Sequence, residues 1–318
     1  MFIAHDKDGI RVTAQEAQKG MSYSCPVCGL PVTFKAGSVK TPHFSHHRII
    51  DCIRYFYKKE SLAHLEAKHT LYLALNRFPV AMEYYLKEIE QIPDLLINHS
   101  RALEIQYSTI SPELIVERSE GYHSLGMDVI WLLDEAALRI DRDCIIPTHF
   151  QLSTLFNGSL FSYSSTQRRL IRWTLLHHRG GNRFAYTAAF LDPEDLAGHQ
   201  PGSAPAPLRL DQSDIRRMIR HARQQKSRLN PTLTFLYQLS LDPENLPAHL
   251  CYSVEAERWI TNPPLEWKLY IMHALEKGTF DWNQFSRFIQ LRTMQQMPNR
   301  QTVLKGLVKA YKSLYISQ

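Results

Sequence analysis

Three short polar stretches, set along alternating helix-like and strand-like patterns, constrain this chain more than any other feature: Glu60-x3-His64-x3-Lys68, Pro93-Asp94 and Glu104-Ile105-Gln106. The first lies in KKESLAHLEAKHTLYLAL, where Leu62, Leu65, Tyr72 and Leu73 recur near helical spacing without Gly or Pro, so the spacing predicts a helix. Steps of four residues set Glu60, His64 and Lys68 in one slowly drifting row. Taken alone, such a row describes a solvated helix face; the two later stretches give it a different weight. Residues 78–85, 94–97 and 102–107 read as short strands separated by turn-forming residues such as Asn98-His99-Ser100. Ser111-Pro112 then opens a helix running to residue 122, and the apolar run 127–133 reads as a buried strand. The predicted order is helix, three strands, helix, strand.

In strand geometry residues 104 and 106 share a face and Ile105 points the other way. Asp94 and Glu104, on neighbouring strands, therefore offer hard carboxylate oxygens of the kind that Mg2+ or Mn2+ prefers. A cation held there polarises a phosphate and acidifies an attacking water. This order, with Asp94 opening the second strand and Glu104 inside the third, resembles the restriction-endonuclease-like α/β fold of the PD-(D/E)xK superfamily. The departure is Gln106, which stands where that pattern has a lysine; a neutral amide is neither an ammonium nor a general base. Two substitutes lie within the chain: Gln106 orienting water, or Lys68 bringing its charge from the facing helix. Glu60 can join the metal shell, and His64 sits between them in the same row.

A second constellation precedes this core. Cys25-Pro26-Val27-Cys28 is followed by a hairpin pattern, then His43, His46, His47 and Cys52. A C-x2-C knuckle brings two thiolates to one tetrahedral centre, so the spacing predicts a zinc-binding hairpin module. It holds more candidate ligands than places. Alternation along a strand puts His43 and His46 on opposite faces, favouring Cys25, Cys28, His46 and Cys52, with His43 as the substitute.

The run CPVCGLPVTFKAGSVKTPHFSHH, then the helix of Glu60, His64 and Lys68, then IPDLLI, then EIQYSTIS, in that order, closely resembles the competence protein CoiA family over roughly residues 1 to 135. The resemblance implies a zinc-finger-like N-terminus before a nuclease-like domain. It also implies a cytoplasmic protein used by Gram-positive bacteria in natural transformation, acting on incoming DNA linked to recombination. Implied partners are single-stranded or branched DNA and recombination proteins. The residues leave two classes open: an Mg2+- or Mn2+-dependent deoxyribonuclease, and a non-catalytic DNA-binding adaptor with a nuclease-like fold.

With 318 residues and 44% hydrophobic content the chain suffices for two or three packed domains. No apolar run is long enough to span a bilayer, and the opening MFIAHDKDG lacks the pattern of a secretory signal. Five cysteines, three of them in the proposed zinc module, suit a reducing compartment. No Gly-rich phosphate loop is present, which argues against an ATP-driven motor. The net charge of +6 is concentrated in the last third, where residues 213–318 carry 15 Lys/Arg against 8 Asp/Glu. The expected organisation is a zinc-finger-like module at 1–56, a nuclease-like domain at 57–190, a Pro/Gly-rich linker at 191–212 and a basic helical domain at 213–318. That last region has Ser213-Asp214 as its cap and helices over 265–276, 282–293 and 303–315. Between them, Arg168, Arg169, Arg172 and His177-His178-Arg179 read either as a helix covering the sheet or as the wall of a nucleic-acid groove, and 184–190 as a strand.

Overall fold

In the computed structural model, the described residues are 1–37, 42–47, 52, 61–198, 205–225 and 229–316. They divide into two compact units, one of residues 1–137, 160–172 and 189–200, the other of 138–159, 173–188 and 201–318.

The first unit opens with five short strands, β1 (Ile3–His5), β2 (Arg11–Thr13), β3 (Tyr23–Ser24), β4 (Pro31–Lys35) and β5 (His43–His46), in the order β2-β1-β3-β4-β5. All four pairings are antiparallel. Too small to bury a large core, this sheet gathers Tyr23, Phe34 and Phe44 into a ring cluster with centroids 5.0–6.2 Å apart. Next come α1 (Leu62–Ala74), β6 (Val80–Met82), β7 (Leu95–Ile97), β8 (Arg101–Gln106), α2 (Pro112–Ser124) and β9 (Asp128–Asp134). The predicted order of helix, three strands, helix and strand is present in a mixed α/β unit, with strands shorter than expected. In particular, Asp94 precedes β7 instead of opening it.

Ser111 caps α2 by accepting from the Leu114 amide, and Pro112 fits the first turn, where no amide is needed. That helix carries the chain across so that β9 lies parallel to β8, from Arg101 opposite Asp128 to Gln106 opposite Leu133. The interior of β9 is wholly buried, as its unbroken apolar run requires.

Beyond this lie β10 (Ile140–Asp141), β11 (Cys144–Ile145), α3 (His149–Ser153), β12 (Ser159–Ser164), β13 (Arg169–His178), β14 (Phe184–Leu191) and α4 (Asp195–Gly198). Strand β12 runs parallel to β9. The helix considered for residues 168–179 is corrected to strand β13. Its burial alternates over much of its length, and the period is two instead of 3.6. Arginines and histidines at 168, 169, 172 and 177–179 masked this alternation in the sequence.

The second unit is mainly helical: α5 (Gln212–Gln224), α6 (Pro231–Gln238), α7 (Pro264–Glu276), α8 (Trp282–Phe288) and α9 (Arg300–Ile316), with the short antiparallel pair β15 (Leu208–Arg209) and β16 (Tyr252–Ser253). The expected cap at Ser213-Asp214 is corrected to Asp211, and α8 stops at Phe288, short of residue 293. The apolar stripe of α5, Ile215, Met218, Ile219 and Ala222, is buried. Two of its arginines are paired with acids, Arg216 with Glu244 and Arg217 with Asp214.

The core of this unit encloses an ion pair. Lys268 Nζ lies 2.5 Å from Glu257 Oε1, and both side chains are fully shielded from solvent. Trp267 Nε1 donates to the same oxygen at 3.0 Å, and Ser253 Oγ donates to Oε2 at 3.0 Å. Removing one partner strands a buried charge, so Glu257→Ala is expected to lower the unfolding free energy by about 3–5 kcal/mol. Urea unfolding of the variant should show this, and Glu257→Leu combined with Lys268→Met should regain most of the loss.

Candidate functional site

The centre of the first unit is a charge cluster built from four elements. On α1, whose capping residue Ser61 accepts from the His64 amide, the step from His64 to Lys68 turns both side chains inward. Lys68 is only 1% exposed, which rules out the solvated-face reading of that row. Its ammonium sits 2.7 Å from Asp94 Oδ1 and 3.2 Å from Glu83 Oε1. His64 Nε2 lies 3.0 Å from the same Asp94 oxygen, and Asp94 Oδ2 accepts from the Ile105 amide at 2.8 Å. Burial alone would raise the Asp94 carboxyl, but the Lys68 and His64 charges and their hydrogen bonds overcome it and hold Asp94 well below the usual carboxylate range.

Glu104 is in the opposite condition. Burial pushes its carboxyl up to about 7, against the pull of the Arg118 guanidinium and with the Asp94 charge adding to the rise. Arg118 and the Tyr122 hydroxyl both donate to Oε1 of Glu104. Gln106 is turned along its own chain: its amide donates to the Ser108 carbonyl at 2.7 Å and to Ser108 Oγ at 3.0 Å. At the edge of the cluster the Tyr107 hydroxyl donates to the Tyr163 carbonyl at 3.3 Å, and burial pushes that phenol up to about 12. Glu60, expected in the same row, lies outside the described residues.

Asp94 and Glu104 are thus close enough to sense each other, one firmly ionised and the other resisting ionisation. Two buried carboxylates in this relation have the donor chemistry of a hard divalent cation, and Mg2+ is commonly bound by one or two carboxylates together with water and substrate phosphate. Such a cation would compete with Lys68 and His64 for Asp94. Among the described residues these carboxylates do not combine with a third acidic, histidine or cysteine ligand into a tight metal-binding group.

Such a group does form in the N-terminal sheet. Ligand atoms of Cys25, Cys28, His46 and Cys52 all lie within 4.8 Å of one another and could hold a metal ion. Cys25 and Cys28 flank a tight turn in which the Gly29 amide donates to the Cys25 carbonyl at 2.9 Å, and Gly29 takes the φ of +72° that glycine tolerates. His46 closes β5, 3.4 Å from Cys28 Sγ, and the sulfurs of Cys25 and Cys52 are 4.0 Å apart. Metal–sulfur bonds of about 2.3 Å place two tetrahedral thiolates roughly 3.8 Å apart, so the set fits zinc in both chemistry and spacing. His43 falls outside the group, and His47 pairs with Thr33 Oγ1 at 3.0 Å.

Sequence reasoning missed Glu83, Arg118 and Tyr122. Arg118 and Tyr122 are one helical turn apart on α2, a spacing that the sequence displays. Glu83 carries no such signal, for it is a buried acid at φ +52° just past a three-residue strand. It anchors more than Lys68, because both of its oxygens accept from the Phe2 amide, at 3.1 and 3.2 Å. The Arg11 guanidinium likewise donates to the Met82 carbonyl. The N-terminal sheet and the charge cluster are therefore bonded together within one unit.

Comparison with known proteins matches the same two regions. The model of the competence protein CoiA nuclease-like domain matches residues 60–195, and that of the CoiA N-terminal domain matches residues 8–53. The chain is also similar to the competence protein CoiA of Bacillus subtilis (strain 168), with 34% identity over 148 residues, which is 44% of this chain and 38% of that relative. No solved structure matches the chain. The two domain matches fall, in order, on the cysteine–histidine sheet and on the segment that carries Lys68, Asp94 and Glu104, and together they take in more than half of the sequence; the chain belongs to the competence protein CoiA family.

Proposed function

We propose that this protein is a metal-dependent deoxyribonuclease acting on DNA taken up during natural transformation, with its cut linked to recombination. The observation that carries the reading is the 2.7 Å contact between Lys68 and Asp94: a lysine charge reaches the acidic pair from α1, although Gln106 holds none. In this reading Asp94 and Glu104 would hold Mg2+ or Mn2+, with Glu60, a candidate from the sequence alone, assisting. That cation would polarise the scissile phosphate and acidify the attacking water. Lys68 faces the growing negative charge on the phosphate, His64 steadies Asp94, and the Gln106 amide aligns water by hydrogen bonding. The Ile105 amide holds Asp94 in one orientation throughout. Zinc is assigned to Cys25, Cys28, His46 and Cys52 as a structural ion. The same reading places the encounter with DNA in the cytoplasm. Among the described residues no helix is long and apolar enough to cross a membrane.

The adaptor reading rests on one observation of its own. Both Asp94 oxygens are already bonded by the chain, and the Gln106 amide is engaged with Ser108. In that case the charge cluster is a structural knot inside a DNA-binding or recombination-protein-recruiting domain.

Labelled single-stranded, double-stranded and branched DNA should be cut in Mg2+ or Mn2+, and the isosteric variants Asp94→Asn and Glu104→Gln should each lose at least ~100-fold in rate. DNA binding without any cutting, in wild type and variants alike, would decide for the adaptor. Purified protein should carry about one zinc per chain, and Cys25→Ser should lose the ion and melt the N-terminal sheet first; protein purified without chelator and free of zinc would refute that assignment.

The raised Glu104 carboxyl has a consequence for stability with a definite sign. A group that holds its proton more tightly when folded contributes fully at low pH, and that contribution is lost as pH rises from the unfolded value of 4.5 through about 7. With chelator present, wild type should therefore lose more stability across this window than Glu104→Gln. Parallel denaturation curves for the two proteins from pH 4.5 to 7.5 would count against the raised value.

A further inference from the structure

The second unit contains a cavity of about 720 Å3 that takes no part in the charge cluster. The turn Gly180-Gly181-Asn182, between β13 and β14, forms one wall, and α5 another. Gly180 has φ +86°, and a Cβ there would sit 2.5 Å from Met218 Cγ, so glycine alone lets the turn press this closely on the helix.

The wall carries several cations in different states. Arg183 meets Asp141 at 2.7 Å, and Arg217 pairs with Asp214. Arg292 is 6% exposed and has no carboxylate within ion-pair distance among the described residues. Its Nη1 donates to the neutral Asn182 Oδ1, at 2.8 Å, and its Nε has no hydrogen-bond partner among the described residues. His178, 3% exposed, stacks on Phe184 and has no such partner for either ring nitrogen. Glu266, the acid in this wall, is committed to Asn262 at 2.9 Å and Thr232 at 3.5 Å.

A buried guanidinium without an anion, beside an imidazole without partners, is a costly arrangement that a bound anion relieves. Burial pulls the Arg292 guanidinium down to about 10. The cavity is far larger than one phosphate needs and lies within the size range of small-ligand sites. The Gln290 amide side chain in its wall suits the hydrogen-bonding edge of a sugar or base, whereas Asn230 is engaged in capping α6 and in donating to Gln225.

We propose that this cavity binds the phosphate monoester of a nucleotide, with Arg292 and His178 facing the phosphate. The ligand is either a free mononucleotide or the 5′-phosphorylated end of a DNA strand, which share that chemistry. The site is independent of the nuclease reading, since none of the carboxylates of the charge cluster enters it.

The test is thermal unfolding of the full chain with inorganic phosphate, dAMP, deoxyadenosine, and a short DNA strand with or without a 5′-phosphate. Ligand that binds only the folded state raises the midpoint. Phosphate-bearing probes should raise it and deoxyadenosine should not. Stabilisation that needs the 5′-phosphate of the strand assigns the DNA end, and stabilisation by dAMP alone assigns the free nucleotide; either supports the site. Arg292→Gln should weaken binding at least ~tenfold while leaving the ligand-free midpoint unlowered, because it removes a buried, uncompensated charge. Ala222→Met, which fills the cavity from α5, gives a second measure if the first variant does not fold. A lack of response to every phosphate-bearing probe at about 10 mM, or an equal response in both variants, overturns the proposal.

Discussion

A lysine ammonium held out of water organises the first unit. Among the described residues Lys68 is paired with Glu83 and Asp94, and each is also bonded to backbone: Glu83 to the Phe2 amide, Asp94 to the Ile105 amide. The Glu83 amide in turn donates to the Asp94 carbonyl at 3.0 Å. A buried charge is costly unless it is paired and hydrogen-bonded, so the low-energy arrangement of Lys68 needs helix α1, the start of β7, strand β8 and the N-terminal sheet in place together. The geometry of the candidate site is thus a by-product of satisfying one cation.

Two neighbouring acids illustrate how environment separates residues of like type. Asp94 has cationic partners and stays ionised; Glu104 is raised first by burial and further by the Asp94 charge, against the pull of Arg118 and the Tyr122 hydroxyl, and keeps its proton toward neutrality. Carboxylates pushed apart in this way are a common mark of functional sites, although structural networks produce them too.

Much of the first unit was legible in the sequence because its signals are local. A four-residue step on α1, Ser111-Pro112 at a helix start, and the unbroken apolar run of β9 each follow from the period or capping chemistry of a single element. The cysteine–histidine group was legible for a similar reason, since a knuckle fixes two ligands and strand alternation sorts His46 from His43. What escaped depends on contacts between distant segments. Glu83 looks like a polar residue near a strand end, and only the fold brings Phe2 and Lys68 to it. Strand β13 was obscured by its arginines and histidines, which lie on a strand whose buried residues are Leu170, Ile171, Trp173, Leu175 and the polar His178. The cavity-wall cations could not be sorted by sequence, because Arg183, Arg217 and Arg292 are chemically identical until their partners are known.

The double duty of Glu83 bears on how such sequences can drift. If Lys68 is lost, Glu83 and Asp94 lose the ammonium they share, though Asp94 keeps His64; if Glu83 is lost, the Phe2 amide loses its acceptor and the ammonium loses one of its two acids. Neither position can change first without passing through a damaged intermediate. The three positions 68, 83 and 94 should therefore be inherited as a block, and relatives that have abandoned one of them should show a rebuilt β1 contact in its place.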